Sequence, residues 1–98
     1  MYLVHVHLRS RSSGDLLPEW TATAIADCAA GLEGFEHVSV HAEAFPQPVL
    51  GIYLRAPTLE AAEAGAEALC RRVWSCHQAL TAWEVVRAEV PLLPDANL

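Results

Sequence analysis

Hydrophobic and polar residues alternate with period two in four stretches of this 98-residue chain and recur at helical spacing in two others. In residues 2–9, Tyr2, Val4, Val6 and Leu8 fall on one side and Leu3, His5, His7 and Arg9 on the other. Successive side chains of an extended chain point to opposite faces, so this alternation predicts a strand. Residues 37–55 read as a hairpin. Its first arm sets Val38, Val40, Ala42 and Ala44 against His37, Ser39, His41, Glu43 and Phe45. Its second sets Leu50, Ile52 and Leu54 against Val49, Gly51, Tyr53 and Arg55. Between the arms, Phe45-Pro46-Gln47-Pro48 forms the turn, because proline has no N–H to give to a sheet ladder. A last strand is predicted over 82–90, with Val86, Ala88 and Val90 facing the core and Trp83, Val85, Arg87 and Glu89 facing away.

The two helical stretches separate these strands. After a polar loop at 10–14, Asp15 is placed to cap a helix over 16–30, with Pro18 in its first turn. Leu17, Thr21, Ala24, Ile25 and Cys28 form its apolar stripe, Trp20 stands at the stripe's edge, and Gly31 stops it. The second helix is the stronger prediction. Thr58 caps it, Glu60 suits its first turn, and Leu59, Ala62, Ala66, Leu69, Cys70, Val73, His77 and Leu80 share one face. Glu67 and Arg71 oppose that face as an i,i+4 pair.

The resulting order, β-α-β-β-α-β, resembles the ferredoxin-like fold, and the resemblance is one of topology over nearly the whole chain. It implies an α+β domain with a four-stranded antiparallel sheet in the order 4-1-3-2 and two helices on one face. Residues 1–98 then form a single domain, with 91–98 as a C-terminal tail. The other sheet face is left open. It carries Leu3, His5, His7 and Arg9 beside Val49, Gly51, Tyr53 and Arg55, flanked by His37, Ser39, His41 and Glu43 and by Trp83, Val85, Arg87 and Glu89. Four of the five histidines fall there; His77 belongs to the end of the second helix.

Composition narrows the function classes. The chain is 53% hydrophobic, rich for its size, which excludes disorder and points to association with a second copy. A net charge of −6 repels phosphate backbones, so no nucleic-acid partner is expected. The cations are all arginine, a usage expected of a high-GC bacterial genome. Cys28, Cys70 and Cys76 include no Cys-x-x-Cys pair, and Cys70 and Cys76 point apart on one helix. Reduced thiols, and with them a cytoplasmic location, are the expectation. Cys76 and His77 are adjacent on a helix, about 100° apart, and form no catalytic dyad. No signal peptide or membrane span is read, and no phosphate loop or metal motif, so no cofactor is assigned.

The candidate chemistry lies on the open face. His5 and His7 project from one strand about 7 Å apart at Cα. A shared metal would need a third ligand, which His41 could supply only across an intervening strand, so no metal is assigned. As acid–base groups, His5 and His7 are the catalytic candidates, since imidazole titrates near neutrality. His41, Gly51, Tyr53, Arg55, Trp83 and Arg87 are the ligand-binding candidates. Gly51 reads either as the floor of a pocket or as a bulge or tight contact. Within the ferredoxin-like group, the dimeric α/β-barrel proteins cover this face by packing two sheets together. Some of them are cofactor-free oxygenases, isomerases or polyketide cyclases. The resemblance implies a homodimer holding a small organic ligand, aromatic or polyketide-like, with acid–base or oxygenase chemistry. The rival is a non-enzymatic protein–protein interaction or accessory module that uses the open face, or its edge strands, as its interface. Four histidines in one interface also predict dissociation as pH falls from about 7.5 to 5.5.

Overall fold

The computed structural model describes residues 1–11, 16–44 and 47–91. The expected cap Asp15, the Phe45-Pro46 half of the turn and residues 92–98 of the tail lie outside them. The elements run β1 (Tyr2–Ser10), α1 (Thr21–Ala29), β2 (Phe35–His41), β3 (Val49–Leu54), α2 (Leu59–Cys76), a 3-10 turn (Gln78–Ala82) and β4 (Trp83–Glu89). They build one antiparallel sheet in the order β2-β3-β1-β4, the expected order read from its other edge. Both helices pack on one face of it. Val4, Val6 and Leu8 of β1 and Leu50 and Ile52 of β3 are wholly buried beneath Ile25 of α1 and Ala62, Ala66 and Val73 of α2. Each large aliphatic side chain buried this way is worth about 1.5–3 kcal/mol.

The second helix forms as its sequence requires. Thr58 Oγ1 accepts from Ala61 N–H at 3.0 Å, Glu60 lies in the first turn, and Ala62, Ala66, Leu69, Cys70 and Val73 are the buried stripe. It ends at Cys76, one turn earlier than the apolar spacing implies. Leu80 is buried from the 3-10 turn instead, which swings the chain toward β4. Burial of Cys70 pushes its thiol up to about 12. Cys28 is half-buried, Cys76 is on the surface, and all three thiols are free. Among the described residues, no helix is long and apolar enough to cross a membrane.

Three further differences from the expected pattern concern α1, β2 and β4. Helix α1 begins at Thr21, not at 16, because the carbonyl of Pro18 accepts both the N–H (3.1 Å) and the hydroxyl (2.7 Å) of the buried Thr21. Strand β2 spans Phe35–His41, not 37–45. It starts after Gly34, at φ 95°, whose carbonyl accepts Arg55 N–H at 2.7 Å. It stops where Ala44 N–H turns back onto the His41 carbonyl at 3.2 Å.

The third difference moves side chains between faces. Strand β4 pairs Leu8 with Val85 but His7 with Arg87, so Val86 is one residue too many and the ladder bulges there. Above the bulge the phase is reversed. Trp83 and Val85 face the helices with Leu8 and Ser10, Glu84 faces the open side opposite Arg9, and Val86 is 42% exposed. Below it, Arg87 and Glu89 face the open side and Ala88 the core, as expected. Trp83, only 3% exposed, is therefore a core residue and not part of the open face. Its carbonyl accepts the indole N–H of the half-buried Trp74 at 2.8 Å.

Candidate functional site

The open face is built from the alternate residues of three strands and the lower half of a fourth. On β1, His5 pairs with Gly51 of β3 and Glu89 of β4, while His7 pairs with Val49 and Arg87. On β2, Ser39 and His41 pair with Gly51 and Val49. His5, His7, His41, Gly51 and Arg87 are thus gathered at one end of the sheet. The other end holds Tyr53, opposite Leu3 and His37, with the His37 and Tyr53 rings 5.7 Å apart. Arg55 lies beyond that end, exposed and ion-paired with Glu36. From Gly51 to Arg55 is about 13 Å of strand. Tyr53 stands one same-face step from Gly51, about 7 Å along β3; Arg55 is not brought to His5, and Trp83 is on the opposite face.

Gly51 is buried without being a pocket floor. A Cβ built on it would stand 2.7 Å from Ser39 Oγ and 3.4 Å from Leu3 Cδ1, so neighbouring side chains already fill the space a glycine leaves. Ser39 Oγ in turn lies 3.2 Å from His41 Nε2. The tight-contact alternative is the correct one here: Gly51 lets the Ser39–His41 pair lean across β3 toward β1.

The two catalytic candidates differ in their bonding. His7 Nε2 is 2.9 Å from Glu89 Oε2, and Arg87 Nε approaches the same oxygen at 3.3 Å. Burial pushes the Glu89 carboxyl up, but hydrogen bonds from His7 and Arg87 outweigh it and hold the group below the usual carboxylate range. His7 and Arg87 are thereby spent on one carboxylate. The His5 ring makes no hydrogen bond to any described residue; it meets the ring of His7 edge-on at a centroid distance of 6.3 Å. Partial burial, then the neighbouring His7 and His41, depress its pKa below 6.5 and keep the imidazole neutral near neutral pH. Together with His41, Val49, Ala42 and Ala44, His5 lines an open depression of about 800 Å³ at this end of the face. No three His, Cys, Asp or Glu among the described residues are grouped to hold a metal ion.

Glu89 is the site residue that sequence reasoning missed. Its alternation with Arg87 was legible, but its link to His7, 82 positions away, depends on β4 lying beside β1. Arg9 and Glu84 form a second cross-strand pair at 2.8 Å, available only because the bulge turns Glu84 outward. Comparison with protein-family models, with curated proteins and with solved structures finds no match to this chain.

Proposed function

We propose that the protein is a cytoplasmic, homodimeric, ferredoxin-like module that binds a small organic ligand, phenolic or aromatic in type, at the His5 end of its open sheet face. One observation carries the reading. His5 is a half-buried imidazole held neutral, with its hydrogen-bonding capacity unspent, at the edge of a depression. A neutral ring nitrogen of this kind accepts a proton from a phenol or an activated C–H, so the chemistry the constellation fits is proton transfer. His41 flanks the ligand, while His7 acts indirectly, as the Glu89-bound neighbour beside which a positive charge on His5 is disfavoured. The three free thiols support the cytoplasmic assignment.

The homodimer rests on the face itself. Leu3, Val49 and Tyr53 stand among its polar groups with no helix over them. Both sheet edges are bulged, at Val86 in β4 and between Phe35 and His37 in β2, which disfavours strand addition and leaves face-to-face packing. The same bulges bear on the rival reading of an interaction module: its partner would have to dock on the face and not on an edge.

The test is a titration of the ¹³C-labelled histidine ring resonances with 4-hydroxybenzoate, paired with light scattering. The expected result is a dimer in which His5 and His41 signals move together on titration. Binding that is unaltered in His5→Ala/His41→Ala removes the site assignment. A flat, dry dimer interface with no ligand response favours the interaction module, and a strict monomer at high concentration refutes the dimer in both readings.

A further inference from the structure

The helix layer is uneven. Helix α1 has 9 residues and α2 has 18, lengths of about 13 and 27 Å at 1.5 Å per residue. The shorter helix cannot roof the sheet along the full length of its neighbour. Where it stops, the chain turns through Gly31 and Gly34 at φ 86° and 95° and drops to β2. A cavity of about 360 Å³ remains between this connection, the side of α2 from Ala61 to Arg72 and the adjoining ends of β2 and β3. Phe35, Leu54 and Leu69 form its apolar floor. Ala61 and Gly65 give it room on the helix side, where larger residues would close it. The space suits about a dozen non-hydrogen atoms, taking roughly 30 Å³ for each water-sized group, and lies at the small end of ligand sites.

Two guanidiniums stand at this cavity, and one of them has no hydrogen bond or ion pair with a described residue. Arg9 pairs with Glu84, Arg55 with Glu36, Arg71 with Glu67 and Arg87 with Glu89, and Arg11 Nε donates to the Thr81 carbonyl. Arg72 lines the cavity, and it alone of the arginines makes no side-chain hydrogen bond or ion pair with a described residue. A guanidinium presents its donors as a planar fork matched to a carboxylate. We propose that this cavity binds a small monocarboxylate with an apolar body, the body on Phe35, Leu54 and Leu69 and the carboxylate on Arg72. Arg55 and Glu33 line the same cavity; Glu36 engages Arg55, and Glu33 repels a second negative charge, which selects against dicarboxylates. The site lies on the helix side of the sheet, away from His5, and does not depend on the function proposed for the open face.

Octanoate is the probe, followed through the backbone amide resonances of the full chain, with octanol, octylamine and octanedioate as comparisons. Octanoate is expected to shift Phe35 and Gly65 at millimolar concentration and to bind more tightly than octylamine or octanedioate. Arg72→Gln should weaken octanoate about tenfold, the scale of one charge-assisted hydrogen bond, and leave octanol unchanged. Arg71→Gln, one residue away and paired with Glu67, should leave both unchanged. Gly65→Leu should fill the cavity and abolish binding of octanoate and octanol alike. A methyl at Gly65 meets only Leu54 Cδ1, at 3.5 Å, so the position has space outward. Circular dichroism checks that this variant folds; if it does not, the exposed arginine variants decide by themselves. Unmoved Phe35 and Gly65 resonances, equal affinity for octylamine, or wild-type affinity in Arg72→Gln would each overturn the proposal.

Discussion

On the helix-covered side of the sheet, β1 and β3 present Val4, Val6, Leu8, Leu50 and Ile52, all without solvent contact. On the other side, the same two strands present His5, His7, Val49 and Tyr53, each half-exposed, around a buried glycine. The first face is held by apolar burial, which is large, additive in area and indifferent to pH. The second is organised by His7–Glu89–Arg87 and Arg9–Glu84, part-exposed and exposed pairs that solvent screening keeps weak. Stability therefore resides almost wholly on one face. The other face is free to carry groups chosen for their chemistry, which is why an unspent imidazole can persist there.

That contrast can be broken most sharply at β4, whose bulge moves residues between the faces. Trp83→Ala should cost about 3–5 kcal/mol in urea unfolding, the penalty for emptying a buried aromatic site, while Arg87→Ala stays within about 0.5 kcal/mol. Similar costs for the two would mean that Trp83 is not a core residue. A smaller effect is expected at Gly51. Gly51→Ala should push Ser39 Oγ away, break its contact with His41 and cost about 1–2 kcal/mol. In a Ser39→Ala background the penalty should shrink, and a double-mutant cycle that shows no coupling between the two positions rules the tight contact out.

Deletion of Val86 should be milder still. It removes the unpaired residue and leaves Trp83, Val85 and Ala88 facing inward in unbroken alternation, so stability should stay within about 1 kcal/mol of wild type. A loss as large as that of Trp83→Ala would show that the bulge is not centred on Val86. The smallest expected effect is electrostatic. The folded-state pKa of His5 lies below 6.5, so the unfolded chain takes up the proton first. This contribution to stability is fully present above pH 6.5 and is lost as pH falls from 6.5 through the lowered folded value. His5→Gln should flatten that part of the stability–pH profile; an unchanged slope would place the ring in water.

The legible and illegible parts of this chain divide along physical lines. Thr58, Glu60 and the stripe from Ala62 to Val73 could be read directly, because a cap and a helical period are local properties. The same holds for the two faces of β1 and β3, where alternation runs unbroken. Alternation failed in β4 because a period-two reading assumes that no residue is skipped, and nothing local marks Val86 as the extra one. It also overextended β2, whose end is set by the His41–Ala44 turn. The candidate site was legible as a set of histidines on one face. It was not legible that Glu36 takes Arg55 and the core takes Trp83, nor that one histidine is bound and one free.

The sequence alone determined the order of elements, the second helix and its cap, the identity of the core strands, and the concentration of histidine on one face. Each follows from interactions among residues a few positions apart or from a repeating period. Only the tertiary structure decided that Trp83 is inside, that Glu89 claims His7 and leaves His5 unspent, and that Arg72 lies unpaired at a cavity beside the short first helix. Those outcomes depend on which strand lies next to which, on where a ladder skips a residue, and on how far one helix reaches compared with another. All are relations between distant segments, and none has a local sequence signature.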